Sequence, residues 1–203
     1  MFIRLMMRKG DVEVYHVIDL LEYDKDYDGL ITVKGEYVAY AVWGEADDYV
    51  EETSQRMRQL AQKLYTFPFY LHFESYYDGP EWILQAEDFD IRYQPSGRTV
   101  LTQSGGNTFQ AEVPSFTVKI SNVDLLDKAF ELWFQHAFDN HLWALTQENN
   151  IFYENGFASM VLTKDKTLLV TEHDAYGFTV LTNQKAFQRE AGLLTVLNDA
   201  FLK

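Results

Sequence analysis

Apolar positions recur at helical spacing in three stretches of the chain and alternate through most of the rest. Over 46–65, the stripe Val50, Thr53, Met57, Leu60, Ala61 and Leu64 predicts a helix. Acidic residues fill its first turns and Arg56, Arg58 and Lys63 come later, the order that the helix dipole favours. Over 123–147, behind a capping Ser121 or Asn122, apolar residues cover most of the circumference, which predicts a helix buried on more than one side. Over 184–202, Phe187, Ala191, Leu194, Leu197 and Phe201 form a third amphipathic stripe.

Short strands are predicted at 12–21, 30–34, 37–43, 67–74, 81–86, 99–103, 108–113, 115–121, 157–163, 167–172 and 176–182. "QSGGNT" supplies Gly105 and Gly106 for a tight hairpin, and "VKGEY", "TKDKT" and "EHDAYG" are further turns. The fold class expected is α+β: mostly antiparallel sheet packed by about three helices, in one unit spanning 1–203. The weakest seam is Pro95-Ser96-Gly97, near 95–97. The expected core is Val50, Met57, Leu60, Leu64, Phe67, Phe69, Phe73, Leu126, Phe130, Trp133, Ala137, Leu194, Leu197 and Phe201, with the 123–147 helix the most buried.

Composition changes this picture in two ways. A chain of 203 residues with 31 acidic against 17 basic residues carries a net charge of −14, and 16% of it is aromatic. Binding nucleic acid requires neutralising phosphates with Lys and Arg, so direct nucleic-acid binding is not expected. A basic protein partner is, because a surplus of carboxylates favours and speeds that encounter; the plainer alternative is that acidity keeps an aromatic-rich chain soluble. The absence of cysteine excludes disulfides, thiolate zinc sites and cysteine nucleophiles, and fits a reducing cytoplasm. There is no run of 18 apolar residues to span a membrane, and the start, "MFIRLMMRKGDVEVYH", reads as a strand and not a signal peptide.

Two acidic clusters stand out. In "YDKDYDGLI", Asp24, Asp26 and Asp28 alternate before Gly29, as at the start of an EF-hand loop. Position 12 of that pattern is Gly35 in place of the bidentate Glu, and the flanks read as strand, so a turn between two strands is the alternative to a calcium module built on 24–31. In "EADDYVEE", Glu45, Asp47, Asp48, Glu51 and Glu52 exceed what one helix end needs. Tyr23, Tyr27 and Tyr49 lie among these acids, and mixed tyrosine–carboxylate surfaces suit Arg through charge pairing and cation–π contact. These eleven residues are the expected partner-binding surface.

A third candidate is the strand in "YTFPFYLHFESYY", with Phe67, Phe69, Leu71 and Phe73 on one face and Tyr70, His72, Glu74 and Tyr76 on the other. The second face could hold a small ligand or a hydrolytic His72–Glu74 pair, or lie covered by a helix. His136 and His141 are five apart and lack the H-E-x-x-H pattern of zinc-binding helices, and His173-Asp174 falls in a turn. G-x-S-x-G, P-loop, G-x-G-x-x-G and the E-x-K pair of nucleases are all absent. No catalytic residue, metal or cofactor is assigned. In composition the chain is similar to bacterial toxin-neutralising (immunity) proteins and phage anti-defence inhibitors. The function expected is therefore a non-catalytic, cytoplasmic inhibitor that occludes a basic protein. The calcium module and the small-ligand enzyme are the alternatives.

Overall fold

Alternating sequences make sheet, and sheet dominates the chain. The computed structural model describes residues 7–8, 13–14, 21–24, 29–44, 47–76, 79–104 and 106–201. In chain order these form β1 (Met7–Arg8), β2 (Glu13–Val14), β3 (Leu21–Asp24), β4 (Thr32–Lys34), β5 (Val38–Trp43), α1 (Tyr49–Leu64), β6 (Phe69–Glu74), α2 (Pro80–Ile83), β7 (Asp90–Ser104) and β8 (Asn107–Ile120). There follow α3 (Val123–Trp133), α4 (Gln135–Phe138), β9 (Trp143–Thr146), β10 (Ile151–Glu154), β11 (Phe157–Val161), β12 (Thr167–Thr171), β13 (Gly177–Thr182) and α5 (Glu190–Phe201). Eight strands pair antiparallel in the order β3-β5-β13-β12-β9-β6-β8-β7. A second sheet, β10-β11-β4, joins an antiparallel hairpin to one parallel strand, and β1–β2 is a short ladder. The fold is α+β, with five α-helices among the described residues where three were expected.

The large sheet buries both faces. On one, Phe69, Leu71 and Phe73 of β6, Phe116, Val118 and Ile120 of β8, and Trp143 and Leu145 of β9 pack against Met57 and Leu60 of α1, Phe130 and Trp133 of α3, and Leu193 and Leu197 of α5. On the other, Ala39, Ala144, Leu168, Val170 and Leu181 meet Ile151, Ala158 and Met160 of the smaller sheet and Ile31 just before its strand β4. The middle strands are thus covered above and below, as a three-layer architecture requires.

That double burial corrects the long helix expected over 123–147. The helix stops at Trp133, and after the short α4 a Schellman turn closes it: Asn140 takes φ 62°, the His141 N–H donates to the His136 carbonyl at 3.0 Å and Asn140 N–H to Ala137 at 3.2 Å. The remainder is β9, a central strand between β12 and β6. A strand buried on both faces is apolar throughout and loses its two-residue alternation, so it continues a helical pattern without a visible break. Nor is α3 buried all round: Leu126, Ala129, Phe130 and Trp133 face the core while Val123 and Leu132 are exposed.

Three smaller corrections follow. The strand expected at 81–86 is helix α2, opened by Pro80 at its first position, where the missing N–H costs nothing. Phe67 is exposed and stacks on Phe69, with ring centroids 5.2 Å apart, in place of joining the core. The strands expected at 99–103, 108–113 and 115–121 belong to two longer ones, β7 and β8, whose ladder shifts register between Pro95 and Thr99. The stretch 95–97 is this bulge: Ser96 Oγ donates to the Val113 carbonyl and accepts from the Arg98 N–H.

Candidate functional site

The acidic cluster of 47–52 is organised by the start of α1. Asp48 caps the helix, accepting from the Glu51 N–H, and Glu52 forms an i,i+4 ion pair with Arg56. Asp47, Asp48 and Glu51 are exposed and make no ion pair among the described residues. Tyr49 leans on Tyr176, with ring centroids 5.0 Å apart, and Tyr176 in turn lies 5.9 Å from Trp43. Tyr176 keeps 49% of its surface in solvent. Three aromatic rings therefore stand beside three unpaired carboxylates.

Local chemistry holds this corner together. The Asn140 amide donates to Asp174 Oδ1 at 2.6 Å and its carbonyl oxygen accepts from the Asp174 N–H at 2.5 Å, both residues having left-handed φ. That reciprocal pair ties the end of α4 to the turn between β12 and β13, which carries Tyr176. Behind it, a Cβ at Gly177 would intrude on the Val42 carbonyl oxygen, so only glycine lets β13 close on β5 here.

Two other predicted partner residues, Tyr23 and Asp24, have their backbone away from this corner. Tyr23 and Asp24 are backbone partners of Tyr40 and Ala39, so Asp24 lies four residues along β5 from Trp43, about 13 Å away at the usual strand rise. The register therefore puts Asp24 toward the opposite end of β5 from the start of α1. Asp26, Tyr27, Asp28 and Glu45 lie outside the described residues.

On the Tyr70/His72/Glu74/Tyr76 face the middle residues His72 and Glu74 are buried, and what reaches Glu74 there is strand β10 and not a helix, while Tyr76 is exposed. His72 and Glu74 are 3% and 4% exposed. Arg98, delivered by the bulge in β7, forms an ion pair with Glu74, and Tyr153 of β10 donates to its Oε1 at 3.1 Å. Burial still outweighs Arg98 and lifts the Glu74 carboxyl above the ordinary range. His72 Nδ1 lies 2.9 Å from Thr117 Oγ1, and burial holds its imidazole neutral with a pKa pushed down to about 3. His136 and His141 stack at 5.5 Å beneath this cluster; burial and then the neighbouring His136 push His141 down to about 4. No group of three or more His, Asp or Glu among the described residues is arranged to hold a metal ion.

Sequence reasoning missed Trp43, Tyr176, Arg98 and Tyr153 as members of these clusters. Tyr153 had a signal: it precedes Asn155-Gly156, with φ 52° and 83°, the pair that fits a two-residue hairpin turn. Arg98 had none, because a bulge is a property of the paired ladder. Comparison with protein-family models, curated proteins and solved structures yields no match to this chain. Among the described residues no helix is long and apolar enough to cross a membrane.

Proposed function

We propose that this is a non-catalytic binding protein that uses the start of α1 to dock on, and occlude, a basic protein surface. The observation that supports this reading is the meeting of Asp47, Asp48 and Glu51, exposed and without ion pairs, with the Tyr49–Tyr176–Trp43 rings. Carboxylates not held by an internal cation attract Arg and Lys from a distance. Half-exposed aromatic rings then supply desolvated, low-entropy anchor area and a π-face for guanidinium. An Arg- or Lys-rich active-site rim, as in a toxin or a nucleic-acid enzyme, is the kind of surface such a corner fits, which would make the protein an immunity-like or anti-defence-like inhibitor.

The test begins with affinity capture from native lysate at low and high salt. With the captured partner in hand, association is measured for the Asp47→Lys, Asp48→Asn, Glu51→Lys triple variant, in which Asn preserves the helix cap. Association slowed about tenfold or more at low salt, with a flattened salt dependence, is the expected result. Tyr176→Ala should speed dissociation. Unchanged rates and salt dependence in both variants would remove this corner from the interface.

A further inference from the structure

Among the described residues, seven lysines and arginines are held in ion pairs. Lys34, Arg56, Arg58, Lys63, Arg98, Lys128 and Lys166 each pair with a carboxylate. Arg92 and Lys119, like Lys164, Lys185 and Arg189, make no side-chain hydrogen bond or ion pair among the described residues. Of these five only Arg92 and Lys119 line a hollow of about 130 Å³ whose other walls are Tyr70, Thr117, Asn149 and Asp90.

The strand register explains how they meet. Tyr70 stands opposite Lys119, and Lys119 opposite Asp90; one row on, His72 stands opposite Thr117, and Thr117 opposite Arg92. All six share the sheet face away from the helices, since their neighbours Leu71, Val118 and Ile120 are in the helix-facing core. Asn149 overhangs from the turn between β9 and β10. The hollow is thus walled on a rigid sheet by a guanidinium, an ammonium, two hydroxyls and a carboxamide. Asp90 is its single carboxylate and leaves the walls with a net charge of one plus.

The buried His72 sets the polarity of one wall. A neutral imidazole has one N–H to place. Nδ1 faces Thr117 Oγ1, while Nε2 has no hydrogen-bond partner among the described residues. Placing the proton on Nδ1 satisfies that donor, because Thr117 Oγ1 accepts it. The hydroxyl proton of Thr117 is then left to point into the hollow. His72 is in this sense a positioning residue, turning Thr117 into a donor.

We infer that this hollow binds a phosphoryl group, presented by a small phosphomonoester or as the free ion. Donors dominate its walls, and Arg and Lys together match the charge and the fork of oxygens on such a group. Its volume of about 130 Å³ is room enough for the four oxygens round one phosphorus. The site lies on the sheet face opposite α1 and does not depend on the docking surface.

The test is an amide-resolved NMR titration of the whole protein with inorganic phosphate, with O-phosphoserine as the free amino acid, and with sodium chloride at matched ionic strength. Saturable shifts centred on Arg92, Thr117 and Lys119 that chloride does not reproduce are expected. They should weaken at least about tenfold in the Arg92→Gln, Lys119→Gln double variant, whose melting temperature, with Arg92 exposed and Lys119 half-buried, should stay close to the parent's. Thr117→Val should weaken binding several-fold and Thr117→Ser restore it. Tighter binding of phosphoserine assigns a phosphomonoester; equal or tighter binding of phosphate assigns the free ion. Shifts that do not saturate, that chloride matches, or that persist in the double variant overturn the inference.

Discussion

Burying a neutral histidine couples the fold to pH, and His72 makes the coupling measurable. Its ring is 3% exposed between Ala144 of β9 and Thr117 of β8, and burial holds its pKa at about 3, against about 6.5 in an unfolded chain. The folded value is the lower one, so the unfolded state binds more protons between the two. Stability is therefore full above about pH 6.5 and falls as pH drops toward the folded value. Integrated from pH 7 to pH 5, the loss is about 2 kcal/mol for one such imidazole. His141, fully buried and held at about 4, adds about as much again over the same window. The combined loss of about 4 kcal/mol is a large share of the 5–15 kcal/mol that holds a typical domain together. Glu74, with its carboxyl raised by burial, works in the opposite sense, losing stability as pH rises from the ordinary carboxylate range. Urea unfolding followed by tryptophan fluorescence at pH 7, 6 and 5 reads the slope. His72→Gln keeps a hydrogen-bonding group beside Thr117 but cannot titrate, so its slope near pH 5 should be shallower by about 1.4 kcal/mol per pH unit. A His72 Cε1 proton that titrates near pH 6.5 in the folded protein, or a His72→Gln slope equal to the parent's, would refute the reasoning.

Two further outcomes follow from the same packing. Arg98→Met leaves the buried Glu74 carboxylate without its cation, and should cost about 3 kcal/mol in urea unfolding at pH 7, with a smaller cost as pH falls and the carboxyl takes up a proton. Replacing the pair together, Glu74→Leu with Arg98→Met, should recover most of that loss; a double variant as unstable as the single one would show that the charge is not the cause. Gly177→Ala sets a methyl group into the Val42 carbonyl and must separate β13 from β5, for an expected loss of about 3 kcal/mol and a fall in melting temperature of about 6–12 °C. An unchanged melting temperature would mean that the two strands can give way at no cost.

What was legible in the sequence was whatever depends on neighbours along the chain. Helix α1 announces itself by the stripe Met57, Leu60 and Ala61, all fully buried, and by acids at its start. The turn joining β7 to β8 is visible in its glycines. Phe69, Leu71 and Phe73 alternate with Tyr70 and His72, and the core takes the first set as expected. What was not legible depends on partners far away. The apolar run Leu142 to Leu145 is a strand only because the smaller sheet covers its second face, and nothing local marks the change except Asn140, whose left-handed conformation stops the helix. The covering of Glu74 has the same origin: β10 reaches it from across the fold, about eighty residues away in sequence. The surface proposed at the start of α1 was half visible, since its carboxylates and Tyr49 lie close in sequence while Tyr176 arrives on the turn before β13.

The charge of the molecule separates its two proposed surfaces. At the start of α1 the local carboxylates and the net charge of −14 act in the same direction, drawing in a cationic partner over distances that salt shortens to about 10 Å at 0.1 M. At the hollow of Arg92 and Lys119 they act against each other. Contact with an anion is local and attractive, whereas the rest of the molecule repels it from afar. Added salt screens both contributions there, so they offset, and only the near contacts, short and partly shielded from water, persist. The partner's association should thus fall steeply between low and physiological salt while phosphoryl binding stays nearly level. A steep fall at both surfaces would mean that the hollow holds its anion by surface charge alone, without the hydroxyl and guanidinium contacts that give the site its chemistry.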